Sequence, residues 1–559
     1  MSRHQRSISC SLLRADVDAL SALLLHTQMP NSSTKRSREE ASAHNNSAAP
    51  SASAIEDFVS WLKRTGASLD GLSISPNADG SYALFASRSL PSGTVFGCLP
   101  REMILDPIAV LAEDTVALNA MGNGGSPAFS FWLSLAAASK DPSHFHAPYL
   151  AALPRESPEP CAWPEVDRQQ LDGTQLAKQI ANQRRLLSNE HARIAPLAAP
   201  EVSFDELLWA RGVHISRCFP RALVEASSLA TSHEILSSDT IDATLTVEQG
   251  GGGKARVTWS RSQQAADSTS TATSTSTATS TSISTATSTA TSTSTSTSTS
   301  TSTSTITPTS SDHDEFAAGN LGCMLPMYDM SDHRVGQRIG WEAGGGCVRF
   351  RCRADVSKGD PLYNNYGGKG NQELLFTYGF AVRDNPLDAV EGIVVGCAAD
   401  ADAGLSAGRR RLLEEHHVPF TTRVTDGALL IGPFDLRRPL PTGADEAVSK
   451  EVVEVEAVDE EEKSFLPADL MYALQVIGME NVEEGPVLSL DELDLLLATL
   501  QARLGALAPA EGADTAAVEG TRAGFIGAYR DGQRRVLRAA IEEVRALMGD
   551  GADGEQDEL

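Results

Sequence analysis

Asn320–Phe380 opens with NLGCMLPMYDMSDH at 320–333 and closes with GDPLYNNYGGKGNQELLFTYGF at 359–380. A glycine-rich turn at Gly344–Gly346 lies between them, flanked by β-type sequence. The stretch sets an Asp-His pair (Asp332-His333), a Tyr-Gly (Tyr366-Gly367) and a Tyr-Gly-Phe (Tyr378 to Phe380) within one short span. Small polar and aromatic groups spaced in this way can build a cofactor pocket beside a narrow aromatic channel. The stretch is therefore the candidate active site.

Upstream of it, Ser268–Ser311 is Ser and Thr with a few Ala, Ile and one Pro, preceded by Gly250–Gly253. Such a tract has no hydrophobic period, and disorder is the expectation despite the β propensity of threonine. A disordered insertion is entropically cheap when its ends already sit together, so both flanks are expected to belong to one fold. Residues 126–219 read as mostly helical, with FSFWLSLAAASK first, a proline-rich break over 144–171, and helical patterning again over Leu176–Leu187 and Phe204–Ser216. Further back, Ile55–Gly66 has apolar residues at helical spacing and a glycine stop. Strand-like runs follow at Leu72–Ser75, Tyr82–Ser87 and Thr94–Leu99, with a tight loop at Asp79–Ala83 placed to face a cofactor.

Downstream, the β-type run Ala389–Val395 is expected to end the first domain. Beyond about Leu405 the chain reads as helices joined by loops. Ser489 to Glu492 form a capping box, and Phe525–Met548 puts Tyr529, Val536, Leu537, Ala540, Ile541, Val544 and Leu547 on one face. The expected organisation is a disordered extension at 1–53 and a first domain at 54–396. That domain holds a helical insert at about 126–248 and the Ser/Thr-rich insertion at about 249–315. A helical domain at 401–548 with an acidic linker at 443–462 follows, then an acidic tail at 549–559.

The chain has 559 residues and a formal net charge of −27, which excludes the basic stripe expected of a nucleic-acid-binding surface. Its eight cysteines are scattered without a C-x-x-C, and reduced thiols are expected. Zinc needs ligands paired at short spacing, so no metal site is expected. No stretch approaches the roughly 20 apolar residues of a membrane span. The first ten residues, MSRHQRSISC, carry an organelle-like Arg/Ser bias that Asp16 and Asp18 interrupt. A cytoplasmic or nuclear location is expected, a plastid or mitochondrial one stays open, and a monomer is expected.

Eight segments in this order carry a family resemblance: WLKRTGA, LFASRSLPSGTVFGCLPREMIL, SHFHAPYLAALP, LDGTQL, WARGVHISRCF, LPMYDMSDH, NYGGKGNQELLFTYGF and AYRDGQRRVL. With these spacings, from about residue 55 to 548, the chain resembles SET-domain protein-lysine methyltransferases of the Rubisco large-subunit methyltransferase type. The resemblance implies an α+β fold: a SET domain of short β-sheets with a pseudoknot and a helical inserted subdomain, then an all-α C-terminal domain of the substrate-binding type. It also implies S-adenosylmethionine as cofactor on one face and a lysine-bearing protein substrate entering from the other. By resemblance Tyr366 is the catalytic tyrosine and also meets the substrate, while Tyr378 lines the lysine channel and Asp329 lies near the substrate. Gly80, Ser81, Tyr82, Arg217, Asp332, His333 and Phe380 fall at cofactor-binding positions.

Three departures from the family pattern stand out. Asp332 replaces an asparagine, so the position can accept a hydrogen bond but cannot donate one. Gly80-Ser81-Tyr82-Ala83 lacks a second glycine, restricting close backbone approach. The Ser/Thr tract enters the subdomain that shapes the substrate groove. Two further functions stay open beside lysine methylation of a non-histone protein. One is protein-histidine methylation of the actin type; the other is a non-catalytic SET-like binding module.

Overall fold

The computed structural model describes residues 49–77, 80–221, 230–231, 242–250, 254–262, 321–334, 339–398, 407–420, 428–439, 464–479, 488–507 and 520–549. The expectations for the N-terminal extension up to residue 48, the Ser/Thr tract, the acidic linker and the tail beyond Gly549 lie outside the described residues.

Helix α1 (Ala52–Arg64) starts three residues before the expected Ile55, because the Ser51 side chain accepts from the Ala54 amide as an N-cap. It buries Ile55, Phe58, Trp61 and Leu62 against the first core. Strand β1 (Leu72–Pro76) pairs antiparallel with β2 (Tyr82–Ala86), from Leu72 opposite Ala86 to Pro76 opposite Tyr82. The connecting turn closes through Gly80, whose φ of +85° favours glycine. Strand β3 (Val95–Pro100) follows.

The inserted helices are α2 (Pro107–Glu113), α3 (Thr115–Gly122), α4 (Pro127–Ala138), α5 (Ala147–Ala152), α6 (Glu165–Gln169), α7 (Gln175–Ala198) and α8 (Phe204–Ile215). Helix α4 is buried on all sides from Ala128 to Ala136, as a helix apolar but for two serines, Ser130 and Ser134, requires. After α8 come β4 (Cys218–Phe219) and the short β5 (Ala230–Thr231). Strands β6 (Asp242–Gly250) and β7 (Lys254–Ser262) then form an antiparallel hairpin. This corrects two boundaries: the insert is not helical to 248, and paired strand extends to Ser262 where the disordered insertion was expected from 249. Alternation of the kind in ATLTVE and ARVTWS, read beside the glycine run, was the available signal.

Strand β8 (Cys323–Met324) pairs antiparallel with β4, which lies on the other side of the Ser/Thr tract. Strands β9 (Ile339–Gly344) and β10 (Cys347–Cys352) form a hairpin through Gly345 and Gly346, both at positive φ. With β3 and β5 they make a four-stranded sheet in the order β3-β10-β9-β5. Helix α9 (Asn371–Tyr378) ends on Gly379 at φ +77°.

The α+β class holds, but the C-terminal core is not all helical. Strand β11 (Ala389–Ala398) pairs antiparallel with β12 (Ala428–Arg437). Val390, Ile393 and Val395 pack in a second core with Leu413 of α10 (Ala407–Glu415) and with α11 (Ala468–Gly478), α12 (Leu490–Ala506) and α13 (Arg522–Met548). The run at Ala389 thus belongs to the second core rather than ending the first. The Ser489–Glu492 capping box is present with both of its bonds. Helix α13 crosses both cores: Ile526 and Tyr529 join the first, and Val536 to Val544 the second. Leu547 departs from its expected apolar face and is 51% exposed, whereas Met548 beside it packs against the second core. Among the described residues no helix is long and apolar enough to cross a membrane.

Candidate active site

The segment Ser331–Arg334 runs beside Asn364–Tyr366. Asn364 N–H donates to Asp332 O at 2.8 Å, Arg334 N–H donates to Asn364 O at 2.9 Å, and the Tyr366 N–H donates to His333 Nδ1 at 3.1 Å. The Tyr366 hydroxyl donates to the Ser331 carbonyl at 2.8 Å. Two stretches over thirty residues apart in sequence are thereby locked at the tyrosine that the pattern singled out.

Four rings gather there. Tyr378 stacks on Tyr366 at 4.7 Å and 24°, and His333 lies 5.0 Å from Tyr366. Phe380 is 5.9 Å from His333 and 6.1 Å from Tyr378. All four are only partly buried. Dense packing sets their chemistry. Burial raises the Tyr366 and Tyr378 hydroxyls far above the usual phenol range, keeping both neutral. Burial, with the charge of Lys369 adding to it, pushes the His333 imidazole down to about 4. A neutral His333 that accepts at Nδ1 carries its proton on Nε2, where it remains a donor.

Asp329 sits in a 3-10 turn, Tyr328–Met330, with its side chain fully buried. The Tyr149 hydroxyl of α5 donates to its Oδ2 at 2.7 Å. Arg217 donates to the Asp329 carbonyl at 2.8 Å and lies 3.5 Å from Oδ2. Burial raises the Asp329 carboxyl, while Arg217 and Tyr149 oppose that rise. Its Oδ1 is buried without a hydrogen-bond partner. Arg217 thus holds an acid that is itself a candidate residue, and it keeps 20% of its side chain exposed.

Gly80 and Ser81 are exposed, and Tyr82 is partly buried at the start of β2. Asn77 ties this loop to the site: its side-chain amide donates to Ser81 Oγ at 3.1 Å and to Asp332 Oδ2 at 3.2 Å. The Asp332 carboxylate therefore has a donor facing it where a family asparagine would supply its own. Asn77 was missed by the sequence reading, as were Tyr149 and Phe525. Phe525 brings the first turns of α13 within 6.4 Å of Phe380. Only Tyr149 had a signal, its place within the quoted segment SHFHAPYLAALP.

No protein-family model matches the chain. Over 70 residues it is 43% identical to ribosomal lysine N-methyltransferase set10 of Schizosaccharomyces pombe, covering 12% of this chain and 13% of that protein. Ribosomal lysine N-methyltransferase 1 of Saccharomyces cerevisiae is 39% identical over 67 residues, 12% of each chain. Actin-histidine N-methyltransferase of Danio rerio is 28% identical over 148 residues, 24% of each. The matched segments thus span only 13% and 12% of the ribosomal relatives' lengths. Among solved structures, the SET domain of LSMT bound to lysine and AdoHcy superposes with a TM-score of 0.54 at 15% identity, covering 90% of this chain and 94% of that one. Rubisco LSMT bound to AdoMet gives 0.52 at 15% identity, covering 90% of this chain and 97% of that one. The chain has the SET-domain fold of these proteins, including their C-terminal part.

Proposed function

We propose that this SET-fold chain is an S-adenosylmethionine-dependent protein-lysine N-methyltransferase. The observation that carries the reading is the stacked pair Tyr366 and Tyr378, with the Tyr366 hydroxyl spent as a donor on Ser331 O. Its oxygen lone pairs are left to accept from an incoming amine and to aim that amine's own lone pair. The similarity to ribosomal lysine methyltransferases and to LSMT bound with lysine supports the choice of lysine.

The donor set fits the cofactor. His333 offers a donor at Nε2 beside the Phe380 ring, which suits a purine. The Asp332 carboxylate can accept from the cofactor's ammonium but repels the cofactor's own carboxylate, with Gly80, Ser81 and the Tyr82 backbone at the rim. Arg217 supplies a cation for a carboxylate. When bound, the cofactor supplies a methyl group on a sulfonium, and transfer is an in-line displacement whose main requirement is alignment. The rings of Tyr366 and Tyr378 exclude water from the amine, favouring its neutral form. Both phenols stay protonated, so they orient the amine rather than deprotonate it. The Asp329 carboxylate is fully buried and held by Tyr149 and Arg217, so it does not reach the surface that a substrate would meet.

The substrate reading is a non-histone protein presenting lysine in a basic segment, which the net charge of −27 favours. A cytoplasmic or nuclear site of action fits the six free thiols among the described residues. Incubating the protein with radiolabelled S-adenosylmethionine and native extract, then hydrolysing the labelled product, tests the reading. Methyl-lysine is the expected product. Methyl-histidine would move the chain to the actin type, and no transfer with no cofactor binding would leave a non-catalytic module.

A further inference from the structure

Arg211 of α8 is completely buried, and its guanidinium pairs with the equally buried carboxylate of Glu159. A buried ion pair is a poor source of stability, because desolvation offsets the attraction and apolar replacements of similar volume are often neutral or better. What such a pair provides is direction: the planar fork admits few geometries and can stack on rings. Here the fork stacks 5.5 Å over Trp132 and 5.5 Å over Phe376. Phe376 lies in the last turn of α9, two residues before Tyr378.

The partner side leads to the same turn. Ser157 packs on Gly212 in α8, where a Cβ would overlap its hydroxyl. Pro158, next to Glu159, holds its carbonyl with the Trp163 indole N–H at 2.8 Å. That carbonyl lies so close to Gly379 that any Cβ there would overlap it. Gly379 separates Tyr378 from Phe380. The segment Ser157–Glu159 is thus clamped between α8 and the end of α9, with its anchor at Arg211.

We propose that Arg211 and Glu159 are positioning residues that set Tyr378 and Phe380 around Tyr366. Their catalytic meaning rests on the methyltransferase reading; the positioning itself does not. The test is the double variant Arg211→Met/Glu159→Leu, read by thermal midpoint, by amide hydrogen exchange across residues 376–380 and α8, and by single-turnover methyl transfer. The expected result is a midpoint within a few degrees of wild type. Exchange at Gly379, whose amide donates to Leu375 O at 3.1 Å, should accelerate at least about tenfold, with α8 unchanged. Methyl transfer should fall by a similar factor. Unchanged exchange at Gly379, or a rise matched throughout α8, overturns the proposal. If the double variant does not fold, Arg211→Lys decides, since it keeps the charge but loses the fork and the stacking; wild-type exchange at Gly379 in that variant overturns it. Wild-type protein that transfers no methyl would remove the proposed function while the exchange result still decides the positioning.

Discussion

The Tyr366 amide donates to Nδ1 of His333 at 3.1 Å, and this bond sets both the place of one residue and the protonation of the other. It fixes the backbone at Tyr366, and it consumes the His333 nitrogen that a metal or a proton would otherwise take. The remaining ring N–H points the same residue toward a donor role. A tyrosine and a histidine over thirty positions apart therefore act as one unit.

Asp332 is the residue whose charge departs from the family pattern, and Asn77 already donates to it at 3.2 Å. Asp332→Asn removes a negative charge from the region proposed for a carboxylate-bearing ligand. Calorimetry with S-adenosylhomocysteine is expected to show about fivefold tighter binding, the order set by ~1 kcal/mol between partly screened charges. Weaker binding by the variant would mean that the carboxylate is a required acceptor for the ammonium.

Two glycines of α13 give opposite expectations. A Cβ at Gly532 would overlap the Asp388 carboxylate, whereas Gly527 has nothing within 4 Å. Gly527→Ala is expected to stabilise by about 0.5–1 kcal/mol, the ordinary gain for alanine in a helix. Gly532→Ala is expected to destabilise by about 1–3 kcal/mol through overpacking. Urea melts of the two variants check both signs; a stabilising Gly532→Ala would contradict the packing of α13 on the Asp388 turn.

His214 is buried neutral: the Trp132 indole donates to its Nδ1 at 3.0 Å, its Nε2 bonds Gly322 O at 2.9 Å, and Arg211 adds a like charge nearby. Burial, first, holds its pKa at about 4, below the ordinary imidazole value of 6.5. The unfolded chain therefore binds more protons between those values. The His214 contribution is present above pH 6.5 and lost as pH falls toward 4, on the order of 3 kcal/mol in full. His214→Gln is expected to be less stable at pH 7 yet to lose less stability between pH 7 and 5 in urea melts. An equal loss in both proteins would contradict this assignment.

Local signals read well. The Ser489 capping box and the helical spacing of α1 and α13 depend on near neighbours, and the structure reproduces them with boundary shifts of a few residues. The aromatic cluster was legible because its members lie in one stretch. Asn77, Tyr149 and Phe525 were not, since each reaches the site from a separate element and only packing shows it. Strand β12 was hidden for a related reason: ALLIGPFDLR contains a Gly-Pro step that reads as a break, and its strand character comes from pairing with β11. Leu547 fits the helical period yet stays exposed, and Met548 beside it makes the contact with the second core instead.

The most direct test of the account is methyl transfer by Tyr366→Phe beside wild type, in single turnover with a labelled cofactor and the lysine-bearing substrate recovered from extract. The substitution removes one hydroxyl and its 2.8 Å bond to Ser331 O while leaving the ring stacked on Tyr378. The expected result is transfer reduced by about a hundredfold or more, as for loss of a preorganised polar contact at a reacting centre, with cofactor affinity and thermal midpoint within error of wild type. Transfer at the wild-type rate would contradict the central role assigned to Tyr366.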